Sequence, residues 1–259
     1  MNIPLLGRVI RYARTQRRLA QIPQLYLREP VFIVGCGRSG TTMLLAILSA
    51  DPTLYGVSEE TEAFADVGPF TPDEARRRRA VLHDFIARET TPFAGRLRFV
   101  EKTPKHTHSI DFIRKTYEGK VKFIHIVRDG RDVVTSKHPT TNKETFHVSP
   151  RRWVRDVSAA LACENDPDMY MIRYEDIIQR FDETMGGLYA YLGQEMPPDA
   201  REFSAHATVR RHWAWPEGIR ALSPDSIGRW QRPEMAHRVA MLMENPEAVA
   251  LLKRLNYPV

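Results

Sequence analysis

The chain is expected to fold as an α/β protein, with a central parallel sheet covered by helices on both faces in a three-layer sandwich. Three observations point there. Short apolar runs of strand character alternate with longer segments of helical spacing along most of the 259 residues, the pattern of parallel strands joined by crossover helices. One run, Val31–Val34, leads straight into a glycine-rich turn and then an apolar helix pattern. The polar residues of greatest chemical interest fall where the runs end, the edge at which ligands bind in such sheets.

Residues 1–18 carry Arg8, Arg11, Arg14, Arg17 and Arg18 among Leu5, Leu6, Val9 and Ile10, with Leu19 following. This is a basic amphipathic helix, suited to packing on the domain or a partner, or to lying on anionic lipid. An arm over 1–28 and one domain over 29–259 follow. A first strand is expected over 31–35, a helix over 42–50 and a turn at Asp51-Pro52. Val81, Leu82, Phe85 and Ile86 give helical spacing to 72–88, and the run Arg76–Arg79 reads as its solvated face. Strands are expected at Phe99–Lys102, Val121–Val127 and Met169–Arg173. Helices are expected over 106–118, from Gly130 to His138 (short), over 151–163 and over 176–192. The last third reads as helical with proline-rich turns.

Thirty-eight Lys and Arg against 32 Asp and Glu leave a net charge of +6, which favours an anionic ligand. No nucleic-acid motif accompanies the basic runs, so nucleic acid is not an expected partner. The two cysteines, Cys36 and Cys163, form no CxxC pair and support neither a zinc site nor a disulfide framework. No metal is expected. No apolar run has the length of a membrane span and no signal-type segment opens the chain. The expected setting is cytoplasmic, with residues 1–20 as the route to peripheral membrane contact.

The segment Gly35-Cys-Gly-Arg-Ser-Gly-Thr-Thr42 has the grammar of a phosphate cradle. A helix N-terminus leaves amide N–H groups free and favours negative charge. Glycines let the backbone approach an anion closely. Ser39, Thr41 and Thr42 add hydroxyls, and Arg38 adds a fork of donors suited to oxyanions. Gly35 and Gly40 have Walker A spacing, but Thr41 stands where a nucleotide triphosphatase has its lysine. A second anion site is expected at the end of the strand 121–127, where Arg128 emerges and Ser136 follows on a helical turn. Asp129 and Asp132 could instead pair with Arg128 and Arg131 in a structural ion network.

Together, Gly-Arg-Ser-Gly-Thr-Thr at 37–42 and Ile-Val-Arg-Asp-Gly-Arg-Asp-Val-Val-Thr-Ser at 126–136 resemble the sulfotransferase family. The first resembles its loop for the 5′-phosphosulfate of 3′-phosphoadenosine 5′-phosphosulfate (PAPS), the second its 3′-phosphate clamp. Three more segments fit in order: Glu101-Lys-Thr-Pro-Lys-His106, Arg173-Tyr-Glu-Asp176 and Ser226-Ile-Gly-Arg-Trp230. The resemblance implies a P-loop-like fold and transfer of a sulfuryl group from PAPS to a hydroxyl or amine, leaving adenosine 3′,5′-bisphosphate (PAP), without a metal. It implies Arg38, Ser39, Gly40, Thr41, Thr42, Arg128, Ser136, Tyr174, Ser226 and Arg229 as nucleotide contacts, with Trp230 beside them.

For the chemistry, the resemblance implies Arg38 and Lys102 as cations at the transferring group. Ser58-Glu-Glu-Thr resembles a stretch of the tyrosylprotein sulfotransferase branch and makes Glu60 the base, with Glu59 as alternative. Cytosolic members use a histidine, for which His106 is the rival here; His125 lies inside a strand and reads as core. The Arg-Lys-Gly loop of the cytosolic branch is absent. The acceptor class (small molecule, glycan, lipid or peptide) is open. Residues 137–150 read as a polar loop gating the cleft, and 210–216 as a basic aromatic patch for an acceptor. Two other readings compete: a kinase using ATP and magnesium, and a non-catalytic nucleotide-binding module.

Overall fold

The apolar runs form the strands of one sheet, in a computed structural model that describes residues 3–137, 145–210, 218–219 and 221–259. They are β1 (Val31–Val34), β2 (Leu54–Gly56), β3 (Arg98–Lys102), β4 (Lys122–Val127) and β5 (Met169–Arg173). All pair in parallel, in the order β2-β3-β1-β4-β5. From β1 the chain runs out to β2, returns through β3, then crosses to β4 and β5. The connections leave β1 in opposite senses, which opens a crevice at the carboxyl ends of β3, β1 and β4. Ile33 is level with Lys102, Val34 with His125 and Val127 with Arg173. Gly35, Lys102, Arg128 and Tyr174 therefore emerge on one edge.

The helices are α1 (Ile3–Gln21), α2 (Thr41–Ser49), α3 (Pro72–Arg88), α4 (Ile110–Thr116), α5 (Gly130–Val134), α6 (Pro150–Leu161), α7 (Tyr174–Gln179), α8 (Phe181–Leu192), α9 (Phe203–His206), α10 (Ala236–Met243) and α11 (Pro246–Arg254). Successive side chains of β1 point to opposite faces. Val31 and Ile33 pack with Leu44 and Leu48 of α2 and Leu188 of α8. Phe32 and Val34 pack with Leu82 and Ile86 of α3 and Ile113 of α4. α2 is buried along its whole length, as a helix apolar all round must be. A third cluster joins Val133, Trp153, Val157 and Leu252 with Cys36 of the glycine-rich turn.

Local chemistry sets the helix starts. The Thr71 hydroxyl accepts from the Glu74 amide, with Pro72 at the first position of α3. Ser149 and Pro150 do the same for α6. Arg76 and Arg77 pair with Asp73 and Glu74 on the exposed side of α3, the solvated charge expected of the run, whereas half-buried Arg78 pairs with Glu74 and donates to the Ala63 and Ala65 carbonyls, tying α3 to the segment after β2.

Several expected elements differ in detail. The helix over 106–118 is a 3-10 turn, Pro104–His108, followed by α4, with the break at Ser109. The His106 side chain is turned into the core there and holds its segment against β3. The helix over 176–192 is α7 and α8, parted at Arg180, whose ψ of 50° leaves the helical region. β2 was not foreseen, because three residues carry too little periodicity to register.

The end of α1 is pinned to the domain. Arg18 Nη2 donates to the Ile86 and Thr91 carbonyls at 3.3 and 3.0 Å, and the guanidinium lies 4.0 Å over Phe93. The next turn buries Ile22 and Leu25 in the core, while Ile10 and Tyr12 are exposed. No helix among the described residues is long and apolar enough to cross a membrane. Within the expected gating loop, 138–144 lie outside the described residues, as do 211–216 of the basic aromatic patch.

Candidate active site

The turn after β1 is shaped by two glycines that no other residue replaces. A Cβ on Gly35 would lie 2.6 Å from the Ile126 carbonyl oxygen, and one on Gly40 would lie 2.4 Å from the Tyr174 ring. Gly40 has φ 96° and caps α2 with no side-chain partner for the helix amides. Arg38 itself stands at φ 70°, a left-handed conformation unusual outside glycine. The turn thus sets uncapped amides, Ser39, Thr41 and Thr42 at the start of a buried helix.

Arg128, one residue beyond β4, lies across this turn. Its Nη1 donates to the Arg38 carbonyl at 3.2 Å and its Nη2 to the Ser226 carbonyl. The guanidinium sits 4.3 Å over the Tyr174 ring. Burial holds the Arg38 guanidinium below its ordinary pKa, and the like charges of Arg128 and Arg229 add to the effect. Arg38 Nε, Ser39 Oγ and Arg128 Nε are buried without a hydrogen-bond partner among the described residues. Buried donors left in this state are costly unless something accepts from them, and a bound oxyanion has the chemistry to do so.

The expected ion network is present as well. Asp129 pairs with Arg131 at 2.7 Å, and Asp132 lies 3.8 Å from Arg128. Asp132 also accepts from the Gly228 and Trp230 amides at 2.9 and 3.1 Å, and the Arg131 guanidinium stacks 4.0 Å over Trp230. The late segment is thereby strapped over the end of β4. Arg38, Arg128, Tyr174, Ser226 and Arg229 come together in this way. The Ser136 hydroxyl donates to the Asp132 carbonyl at 2.8 Å, and that of Ser226 to the Ser223 carbonyl.

At the end of β3, the fully buried Lys102 ammonium donates to Glu60 Oε1 at 2.5 Å. Burial lowers the Lys102 pKa, and the Glu60 charge works in the opposite direction. The segment carrying Glu60 is held at both ends. Glu89, at the end of α3, accepts from the Ser58 amide and hydroxyl, each at 2.7 Å. Buried Glu101 accepts from the Thr61 and Thr103 hydroxyls. Burial alone would raise the Glu101 pKa; His106 and these hydroxyls bring it below the usual carboxylate range. Glu59, by contrast, is exposed.

His106 is a strut. Its Nε2 accepts from the Phe64 amide at 3.0 Å, which leaves the proton on Nδ1, 2.9 Å from Glu101. Both ring nitrogens are engaged inside the core, so the geometry disfavours it as a base. His125 is buried in β4 and pushed down to about 3 by burial, as a core histidine. Burial pushes the Cys36 thiol up, which removes it as a nucleophile.

The helix expected over 151–163 is α6, and no role was expected for its Arg152 and Asp156, which are one helical turn apart. Asp156 is buried and accepts from Arg152 Nε at 3.2 Å and Arg155 Nη2 at 3.0 Å, with His108 Nε2 at 2.8 Å. Arg152 Nη2 lies 3.4 Å from where a Gly37 Cβ would stand. Only the spacing of Arg152 and Asp156 hinted at this pair. An open groove of about 1440 Å³ between α6 and α11 is lined by Arg151, Arg155 and Leu251 but by none of Arg38, Glu60 and Lys102, so it is not the centre described. Among the described residues no cluster of His, Cys, Asp and Glu is arranged to hold a metal.

Comparison with known proteins agrees with this fold. The model of the sulfotransferase family matches residues 30–93 and 70–198. No curated protein matches the sequence. Among solved structures, the sulfotransferase domain from the curacin biosynthetic pathway superposes with a TM-score of 0.61 at 15% identity, covering 90% of this chain and 99% of that one. A sulfotransferase from Mycobacterium avium gives 0.57 at 12% identity, covering 95% and 82%. A mouse sulfotransferase complexed with PAP gives 0.52 at 16% identity, covering 94% of each. At such identities these structures support the fold, and the family match extends over more than half of the sequence. The chain belongs to the sulfotransferase family.

Proposed function

We propose that the protein transfers a sulfuryl group from PAPS to a hydroxyl or amine acceptor, leaving PAP. The observation that carries this reading is the set of orphaned buried donors, Arg38 Nε, Ser39 Oγ and Arg128 Nε, on a glycine-rich turn at a helix start. Two arginines from two strand ends suit a nucleotide phosphorylated at its ribose as well as at its 5′ side. The mouse sulfotransferase of the same fold, complexed with PAP, supports the choice of nucleotide. When bound, PAPS supplies the activated sulfuryl group.

The chain's own residues do the rest. Arg38, Ser39, Gly40, Thr41 and Thr42 hold the 5′ phosphate, and Arg128 and Ser136 hold the 3′ phosphate. Tyr174, Ser226 and Arg229 frame the nucleotide. Arg38 and Lys102 stabilise negative charge developing on the leaving side. Glu60 accepts the proton of the acceptor as its oxygen or nitrogen bonds to sulfur. A carboxylate base aligns the chain with the tyrosylprotein sulfotransferase branch rather than with the cytosolic one.

Thr41 in place of the Walker lysine weighs against a kinase using ATP and magnesium. Thermal shift with PAP, ATP-magnesium and adenosine 5′-phosphate separates the readings, since a ligand of the folded state raises apparent stability. Selective stabilisation by PAP is expected. Equal or greater stabilisation by ATP-magnesium would overturn the choice of donor.

A further inference from the structure

The turn after β1 has two flanks. Tyr174, Arg128 and the strapped 226–230 segment occupy one, against Gly40 and the Arg38 carbonyl. Arg152 and His147 occupy the other, against Gly37. The second flank adjoins the end of β3, because α6 packs on the turn Pro104–His108 that follows Lys102 and Thr103. Thr107 Oγ1 donates to the Asp156 carbonyl at 3.1 Å and His108 reaches the Asp156 carboxylate, fixing that contact.

Among the described residues, Arg152 is held by its Nε, which is anchored on buried Asp156, while its terminal nitrogens meet no hydrogen-bond acceptor. Its side chain is 30% exposed, so the terminal fork is within reach of a ligand. Asp156 is the carboxylate for Arg152, Arg155 and His108 together, which leaves this flank with an excess of positive charge. A guanidinium oriented through Nε, with both Nη atoms clear of acceptors among the described residues, is arranged for bidentate contact with an oxyanion. Of the nucleotide contacts proposed above, Arg128, Tyr174, Ser226 and Arg229 belong to the opposite flank, and Ser136, whose carbonyl accepts from the His147 amide at 3.1 Å, is the one on this side.

Building on the transfer reading above, we infer that Arg152 determines acceptor specificity, by binding an anionic group (a carboxylate, sulfate or phosphate ester) carried by the acceptor. Asp156 acts through it as a positioning residue. The acceptor class this selects is a hydroxyl or amino compound that already bears a negative charge.

The test uses the full chain with radiolabelled PAPS and matched acceptors, each a carboxylate and its carboxamide, on phenol, primary alkanol and hexose frames. Wild type is expected to favour the charged member by about tenfold or more in kcat/KM, the size of one charge-assisted contact. Arg152→Gln should bring that ratio towards one through a raised KM, and Arg152→Lys should recover part of it. PAP affinity by calorimetry should be the same in all three proteins. No preference for the charged member of any pair, or a preference unmoved in Arg152→Gln, overturns the inference. So does a loss of PAP affinity in Arg152→Gln that matches the loss in kcat/KM, because that is the mark of a nucleotide contact or a merely structural role. A wild type that binds no PAP instead overturns the transfer reading beneath it.

Discussion

Lys102 and Glu60 meet across the crevice, the ammonium from the end of a central strand and the carboxylate from the segment after β2. The lysine is fully buried and the carboxylate keeps 19% of its side chain exposed. One group can therefore hold charge inside the site while the other reaches an incoming acceptor. Glu60→Gln keeps an oxygen for Lys102 but removes the proposed base. Turnover should fall by about 10²–10⁴-fold, the usual worth of a positioned base, with PAP affinity near that of wild type. Full activity in this variant would remove Glu60 as the base.

The centre of the sheet was legible because Val31–Val34 and the 121–127 run are mostly apolar and bounded by turns, whereas the three residues of β2 were not. Arg128 stood out because it follows directly on the 121–127 run, Arg38 because it stands in the glycine-rich turn after β1, and Tyr174 only through the resemblance of its Arg-Tyr-Glu-Asp segment. What escaped was set by side chains meeting across the sequence. His106 looks like a free histidine at a helix start until Glu101 and the Phe64 amide claim both nitrogens. Arg152 looks like one surface arginine among several until buried Asp156 orients it towards Gly37. The break at Arg180 lies in a stretch whose apolar spacing continues through it, so periodicity alone joined α7 to α8.

Arg38 and Arg128 are linked through a backbone carbonyl, and under the proposed function they act on one nucleotide, so their losses should resemble each other. Arg38→Ala and Arg128→Ala should each weaken PAP binding by about 2–5 kcal/mol, the range for truncating one partner of a buried charged contact. Because Arg128 also lies between the turn and Ser226, the double variant should lose less than the sum. Isothermal calorimetry measures all three. Unchanged affinity in both single variants would leave the two-clamp arrangement without support.

His125 gives the fold a dependence on acid that is separate from catalysis. It is buried in β4, both ring nitrogens lack a partner among the described residues, and burial pushes its pKa down to about 3. The unfolded chain takes up this proton near the ordinary value of about 6.5. Because the folded value is the lower one, the unfolded state binds more protons between the two values, and stability falls as pH falls through that window. The contribution is intact above about pH 6.5 and amounts to a loss of about 2 kcal/mol by pH 5. His125→Phe keeps an aromatic ring among its apolar neighbours and removes the titration. Its urea midpoint should decline less between pH 7 and pH 5 than that of wild type. Part of the decline should remain, since His83 is also pushed down, to about 4, by burial and then by Arg79. If the acid limbs of the two proteins superpose, the imidazole of His125 titrates alike in the folded and unfolded chains, and burial is not what governs it.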